Sequence, residues 1–187
     1  MNFLLSEKFL ELRRQVFHIF YALIIIFFVY YFDAFVPLFL LGLLFFGSLT
    51  IFYVNQGKKI FLISFFLDVF ERKNTILGKG AFYFTLGAFL TIWLFPKKIA
   101  ITSLFILGVC DSLATIYGSY FGKIKIYGNK TLEGMIVFFT SCFLILSTKY
   151  NLFFSLICSA ILSLSEAITF IDDNLIVPLL AGFLMSL

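Results

Sequence analysis

The stretch Ile99–Gly122, IAITSLFILGVCDSLATIYGSYFG, decides the fold. It carries a single charge, Asp111, in a run long enough to cross a bilayer, which takes about 20 apolar residues. A carboxylate buried in such a run is costly, and residues of this kind carry function by default. A hydrogen-bonded structural acid is the plainer reading. At 1.5 Å per residue, Asp111 lies about 10 Å inside the cytoplasmic end of a span that closes near residue 117. Thr115, one turn further on, shares its face.

The rest of the chain has the same character. Of 187 residues, 62% are hydrophobic and 13% charged, and 29 are Phe; mean hydropathy is +1.08. Soluble domains are about half apolar and a quarter charged. The composition therefore excludes a soluble domain, a disordered chain and a coiled coil. Strict apolar–polar alternation is missing, which excludes a transmembrane barrel. The net charge of +4 is spread without a basic stripe, so nucleic acid is not an expected partner. Cys110, Cys142 and Cys158 sit in apolar runs without metal-ligand spacing and read as packing residues.

The expected fold is all-α: a polytopic membrane protein with spans at about 16–32, 34–54, 80–96, 99–117, 132–148, 151–168 and 174–187. The last is short, so six spans with a re-entrant end is the alternative. The segment Ile60–Phe70, flanked by Lys58 and Lys59 and holding Asp68, reads as interfacial. No linker divides the chain, and residues 1–187 are expected to form one transmembrane domain that carries whatever catalytic groups the chain holds. With the N-terminus in the cytoplasm, eleven Lys and Arg fall inside and only Lys97, Lys98 and Lys149 outside. That bias fixes the orientation. The acids, not used in that assignment, gather on the same cytoplasmic side with His18; Asp33 is the exception.

Four groups carry candidate chemistry. Asp111 is the first. The second is the loop Gly118-Ser-Tyr-Phe-Gly122-Lys123 with Lys125 and Asn129-Lys130-Thr131-Leu-Glu133-Gly134. Its glycines would let backbone N–H groups approach phosphate and its lysines would neutralise the charge. It is not a Walker A loop, because Ile124 stands where Ser or Thr belongs, and an ordinary basic loop would look the same. The third group is Glu166 with Asp172-Asp173-Asn174. Adjacent acids at a helix start cap it; with Asp111 and Glu133 they would also suit Mg²⁺, which prefers carboxylate oxygens and substrate phosphates. The fourth is Glu11, Arg14 and His18, on one helical face. Arg14 would clamp phosphate and His18 orient a headgroup or act as a base, unless the helix is simply an interfacial one with snorkelling ends. Glu71-Arg72-Lys73 reads equally as a solvated turn.

Asp111 through Lys123, followed by Asn129-Lys130-Thr131-Leu132-Glu133-Gly134, resembles the CTP-dependent lipid-alcohol kinases: dolichol kinase, phytol kinase and the CTP-dependent diacylglycerol kinase. Glu11-Leu-Arg-Arg14 with His18, Glu71 ahead of Gly78 and Gly87, and Glu166 with Asp172-Asp173-Asn174-Leu175 and Pro178 extend the resemblance over nearly the whole chain. Phosphatidate cytidylyltransferases share the Asp-to-Glu-Gly core. They add a late His-Gly-Gly signature that this chain lacks, its one His being His18.

The resemblance implies transfer of the γ-phosphate of CTP to a lipid alcohol at the cytoplasmic membrane face. For that transfer we expect Mg²⁺ on Asp111, Glu133 and one or both of Asp172 and Asp173, and the nucleotide on Arg14, Gly118, Gly122, Lys123, Lys130, Thr131 and Asn174. Asp111, His18 and Glu166 would be catalytic, with Asp111 first to accept the alcohol proton. A cytidylyltransferase making a CDP-lipid is the alternative within this chemistry, and a small transporter the alternative outside it.

Overall fold

The computed structural model describes residues 2–56, 78–168 and 172–187. The interfacial segment expected at Ile60–Phe70 and the Glu71-Arg72-Lys73 turn lie outside the described residues. The described chain is almost wholly helical. Helix α1 runs Asn2–Phe32 and α2 Val36–Asn55, joined by a 3₁₀ turn at Asp33–Phe35; α3 is Lys79–Leu94 and α4 Lys97–Phe105. A π-helical turn, Ile106–Asp111, leads without a break into α5, Ser112–Phe121. A two-stranded hairpin comes next, β1 Lys125–Tyr127 and β2 Lys130–Thr131, then α6 Leu132–Ser147, α7 Leu152–Ile168 and α8 Asp173–Met185.

Local chemistry sets these boundaries. Pro37 opens α2, and Pro96 precedes α4, positions where a missing N–H costs nothing. Thr131 caps α6 by accepting from Gly134 N at 3.2 Å. Asn151 accepts from Phe154 N at 2.8 Å ahead of α7, and Asp172 caps α8 through Asn174 N. Each satisfies an amide that the first helical turn leaves open. The apolar runs read from the sequence coincide with these helices to within a few residues, except that α1 begins at Asn2, fourteen residues ahead of the expected start at 16. By length and composition, Lys8–Val54 and Lys97–Phe121 are long enough to cross a membrane; Lys79–Leu94, Leu132–Ser147, Leu152–Ile168 and Asp173–Met185 are apolar but shorter.

Three contacts align α1 antiparallel to the α4–π–α5 rod. Lys97 Nζ donates to Tyr30 O at 2.8 Å, Gly108 sits against Ala22, and Ser112 Oγ donates to Gln15 O at 3.5 Å. A methyl group on Gly108 would collide with the Ala22 methyl, so this crossing depends on glycine. The buried core gathers Val29, Phe84, Leu104, Leu107, Phe138 and Leu162 from five of the helices and the π turn. Ser155, Ser159 and Ser163 form a buried stripe on α7 whose hydroxyls bond back to their own helix; they are packing residues. The three cysteines are free thiols, all buried.

Candidate functional site

The π turn places Asp111. A π turn holds one more residue than the α-helical turn it replaces, and such turns recur at functional sites. The extra residue rotates α5 by about 100° from the register a regular helix would give it. Asp111 ends the turn and is 4% exposed; Ser112 behind it is fully buried, while Thr115 is half-buried.

Lys130 reaches Asp111 from the hairpin. Its Nζ lies 3.5 Å from Asp111 Oδ1 and 2.6 Å from Asp173 Oδ2, and it bonds to Glu166 Oε1. Asp111, Glu166 and Asp173 thereby meet, with one donor oxygen of each within 4.8 Å of the others. The residues come from the π turn, the end of α7 and the start of α8, and the lysine from β2. The hairpin, turning at Gly128 with φ +54°, is what sends Lys130 inward, while Lys123 and Lys125 stay exposed.

A small backbone device locates Asp173. Pro178 lies inside α8 and has no N–H to offer the carbonyl of Asn174 four residues back. That carbonyl rests instead against Gly87 of α3, where any Cβ would strike it. The start of α8 is thus seated on α3, and Asp172 and Asn174 tie themselves together through an Asn174 Nδ2 to Asp172 Oδ1 bond of 2.8 Å.

Electrostatics bind the group tightly. Burial alone would lower the Lys130 ammonium, but Asp111, Asp173 and Glu166 outweigh it and hold the lysine well above its ordinary range. Burial pushes the Asp173 carboxyl up; Lys130, then His18 and Arg14, more than reverse this and keep it ionised below the usual carboxylate range. Asp172 is raised, by burial and by its neighbour Asp173.

The N-terminal group arrives at the same end. Arg14 Nη2 donates to Glu11 Oε1 at 2.6 Å, and Gln15 Nε2 donates to the same oxygen at 2.9 Å. The His18 ring stands edge-on to Phe84 with centroids 4.4 Å apart, and its Nε2 is buried without a hydrogen bond. Gln15 escaped the sequence reading. It is 3% exposed; its side chain bonds Glu11 and its main-chain carbonyl accepts from Ser112 at the start of α5. Its one legible signal was a polar side chain four residues after Glu11, on the same face.

Other expected site residues go elsewhere. Glu133 does not join the acids; its carboxylate accepts from Ile124 N at 3.3 Å and lines an open pocket with Tyr117, Tyr120, Phe121, Gly122 and Lys123. Asp172 serves as the α8 cap. Gly118 and Gly122 turn their α-carbons to Thr131 and, for Gly118, to Gly134, so a Cβ on either would meet the Thr131 hydroxyl, at 2.8 Å and 2.7 Å. They allow α5 and α6 to touch. Thr131 is buried beneath them.

A divalent cation fits this cluster on two observations. Among the described residues three carboxylates converge around the Lys130 ammonium, and Asp111 Oδ1 is buried yet accepts no hydrogen bond, Lys130 Nζ lying 3.5 Å away. Its donors are hard oxygens, as Mg²⁺ requires.

Fold and site together define a helical protein with a largely buried cluster of three carboxylates and a lysine at one end. Comparison with known proteins adds the class. Dolichol kinase sec59 of Schizosaccharomyces pombe is 34% identical over 116 residues, covering 52% of this chain and 22% of that protein. CTP-dependent diacylglycerol kinase 1 of the same organism is 27% identical over 129 residues, 58% of this chain and 59% of that one. These partial matches support a lipid-kinase relationship. The uncharacterized protein MJ1137 of Methanocaldococcus jannaschii is 33% identical over 183 residues, 94% of this chain and 93% of that protein. The chain belongs to the same family as MJ1137. No family model and no solved structure matches.

Proposed function

We propose that the protein is an integral membrane kinase that transfers the γ-phosphate of CTP to the hydroxyl of a membrane lipid alcohol, an isoprenoid alcohol or diacylglycerol. The observation that carries this reading is the convergence of Asp111, Lys130, Glu166 and Asp173 at one end of an apolar helical bundle. Phosphoryl transfer asks a protein for positioning and charge neutralisation more than for covalent chemistry, and this cluster supplies both.

The lipid side rests on the surface. Helices α1 and α2 expose rows of large apolar side chains, Phe20, Phe27, Phe45 and Phe46 among them, each more than half exposed. Soluble monomers rarely expose contiguous apolar patches beyond a few hundred Å², whereas a bilayer covers them. The positive-inside bias puts the acid cluster at the cytosolic boundary, where a lipid hydroxyl meets a soluble nucleotide. Seven spans, six in the re-entrant alternative, accommodate the apolar runs.

In this mechanism Lys130, with Arg14 and Lys123, takes phosphate oxygens. Asp111, Glu166 and Asp173 would hold Mg²⁺, which supplies charge neutralisation to the triphosphate. Asp111 accepts the alcohol proton as the oxygen–phosphorus bond forms, and CDP departs with the electrons of the broken phosphoanhydride bond. His18, buried beside Phe84, is the second candidate for that proton.

The test is purified protein with labelled CTP or ATP and a panel of lipid alcohols and lipid monophosphates. γ-Label in a lipid monophosphate supports the proposal. α-Label entering the lipid would make it a cytidylyltransferase, and no transfer to any alcohol would reject the kinase.

A further inference from the structure

Lys130 Nζ occupies the space that three carboxylates enclose. It bonds Glu166, lies 2.6 Å from Asp173 Oδ2 and 3.5 Å from Asp111 Oδ1. A divalent cation on the same oxygens would sit at about 2.0–2.6 Å from them, in the ammonium's own place. The enclosure takes one cation at a time.

The partners differ in their freedom to yield. Asp111 and Glu166 stand on buried helical turns, 4% and 3% exposed. Lys130 reaches in from a two-stranded hairpin, and its unbranched side chain is 28% exposed. Asp173 is 24% exposed but fixed at the start of α8, so the lysine on its hairpin is the member with most freedom to leave. Asp111 Oδ1 is buried and without a hydrogen bond, held only by the 3.5 Å ion pair, the longest of the three contacts the ammonium makes.

We propose that Lys130 is the resident counterion of a divalent-cation site formed by Asp111, Glu166 and Asp173, and that the metal enters as Lys130 leaves for a phosphate oxygen. This rests on the kinase reading of the cluster and adds an order to it. Metal affinity in the absence of phosphate is reduced by the fraction of molecules whose lysine is out. A phosphate that draws Lys130 away tightens the metal, and by reciprocity the metal tightens the phosphate. The chain therefore selects a metal–polyphosphate complex over either component alone.

The experiment titrates the detergent-purified full chain with Mn²⁺ and reads bound ion by electron paramagnetic resonance, with no nucleotide or lipid present. Lys130→Met is expected to bind Mn²⁺ at least about ten-fold more tightly than the wild type, because the competitor is gone. Adding Asp111→Asn to Lys130→Met should abolish that gain. A folded Lys130→Met protein that binds Mn²⁺ no better than the wild type overturns the proposal. A second measurement uses only the wild type. Pulse acetylation read by mass spectrometry should modify Lys130 several-fold faster at saturating Mn²⁺ and leave Lys97 unchanged. Equal Lys130 reactivity with and without Mn²⁺ also overturns it. Neither measurement requires catalysis, so a chain that exchanges Lys130 for Mn²⁺ but phosphorylates no lipid loses the kinase reading alone.

Discussion

Lys97 and Lys130 stand at opposite ends of the molecule and are held in opposite ways. Lys97 lies 3.6 Å from Asp33 and donates to the Tyr30 carbonyl, and both ionic partners are more than a third exposed. Near it, Lys149 donates to Thr102 Oγ1 at 2.6 Å. Exposed pairs of this kind contribute about 0–1 kcal/mol. Lys130 sits among three carboxylates, two of them almost fully buried. Desolvating so many charges is a poor way to gain stability, and groups so arranged gather where chemistry is done. The end with sparse, wet charge serves the fold, while the end with dense, buried charge serves the proposed reaction.

The largest test of this contrast is catalytic. Asp111→Asn and Asp173→Asn should each lower lipid phosphorylation from labelled CTP by about 100-fold or more, while Asp33→Asn at the other end leaves it unchanged. Equal losses at both ends would erase the distinction. Glu133→Gln should cost less than either active-end variant, since Glu133 turns away to Ile124 N.

A structural test comes next. Gly87→Ala puts a methyl group against the Asn174 carbonyl and should destabilise the protein by about 1–3 kcal/mol, read as a lower melting temperature in detergent. Because α8 carries Asp173, activity should fall with it. A Gly42→Ala control, where a Cβ meets nothing within 4 Å, should melt like the wild type.

Acid sharpens the comparison further. Asp173 is held below the ordinary carboxylate range, so its contribution to stability is complete above its unfolded pKa of about 3.9 and is lost as pH falls through the folded value. The melting difference between the wild type and Asp173→Asn should therefore narrow below about pH 4. A gap that stays constant down to about pH 2 would show that Asp173 is not held ionised by Lys130. The smallest effect belongs to Lys97→Met, which should shift stability by no more than about 1 kcal/mol in a denaturation series.

The sequence alone determined the helical class, the positions of the described helices apart from the start of α1, and the gathering of the ionisable groups toward one end. Those properties come from run length, caps and charge bias, which are local to the chain. It also flagged Asp111, because one carboxylate in an apolar run is visible without coordinates. Tertiary structure decided which acids meet. Glu166 and Asp173 join Asp111 while Glu133 and Asp172 do not, and adjacent acids such as Asp172 and Asp173 are indistinguishable by type. Their separation depends on a π turn that rotates Asp111, on a Pro178 that frees a carbonyl to sit on Gly87, and on a short hairpin that directs Lys130 inward. Pro178 and the hairpin residues are visible in the chain, but where they direct Asp173 and Lys130 is decided by packing between distant segments.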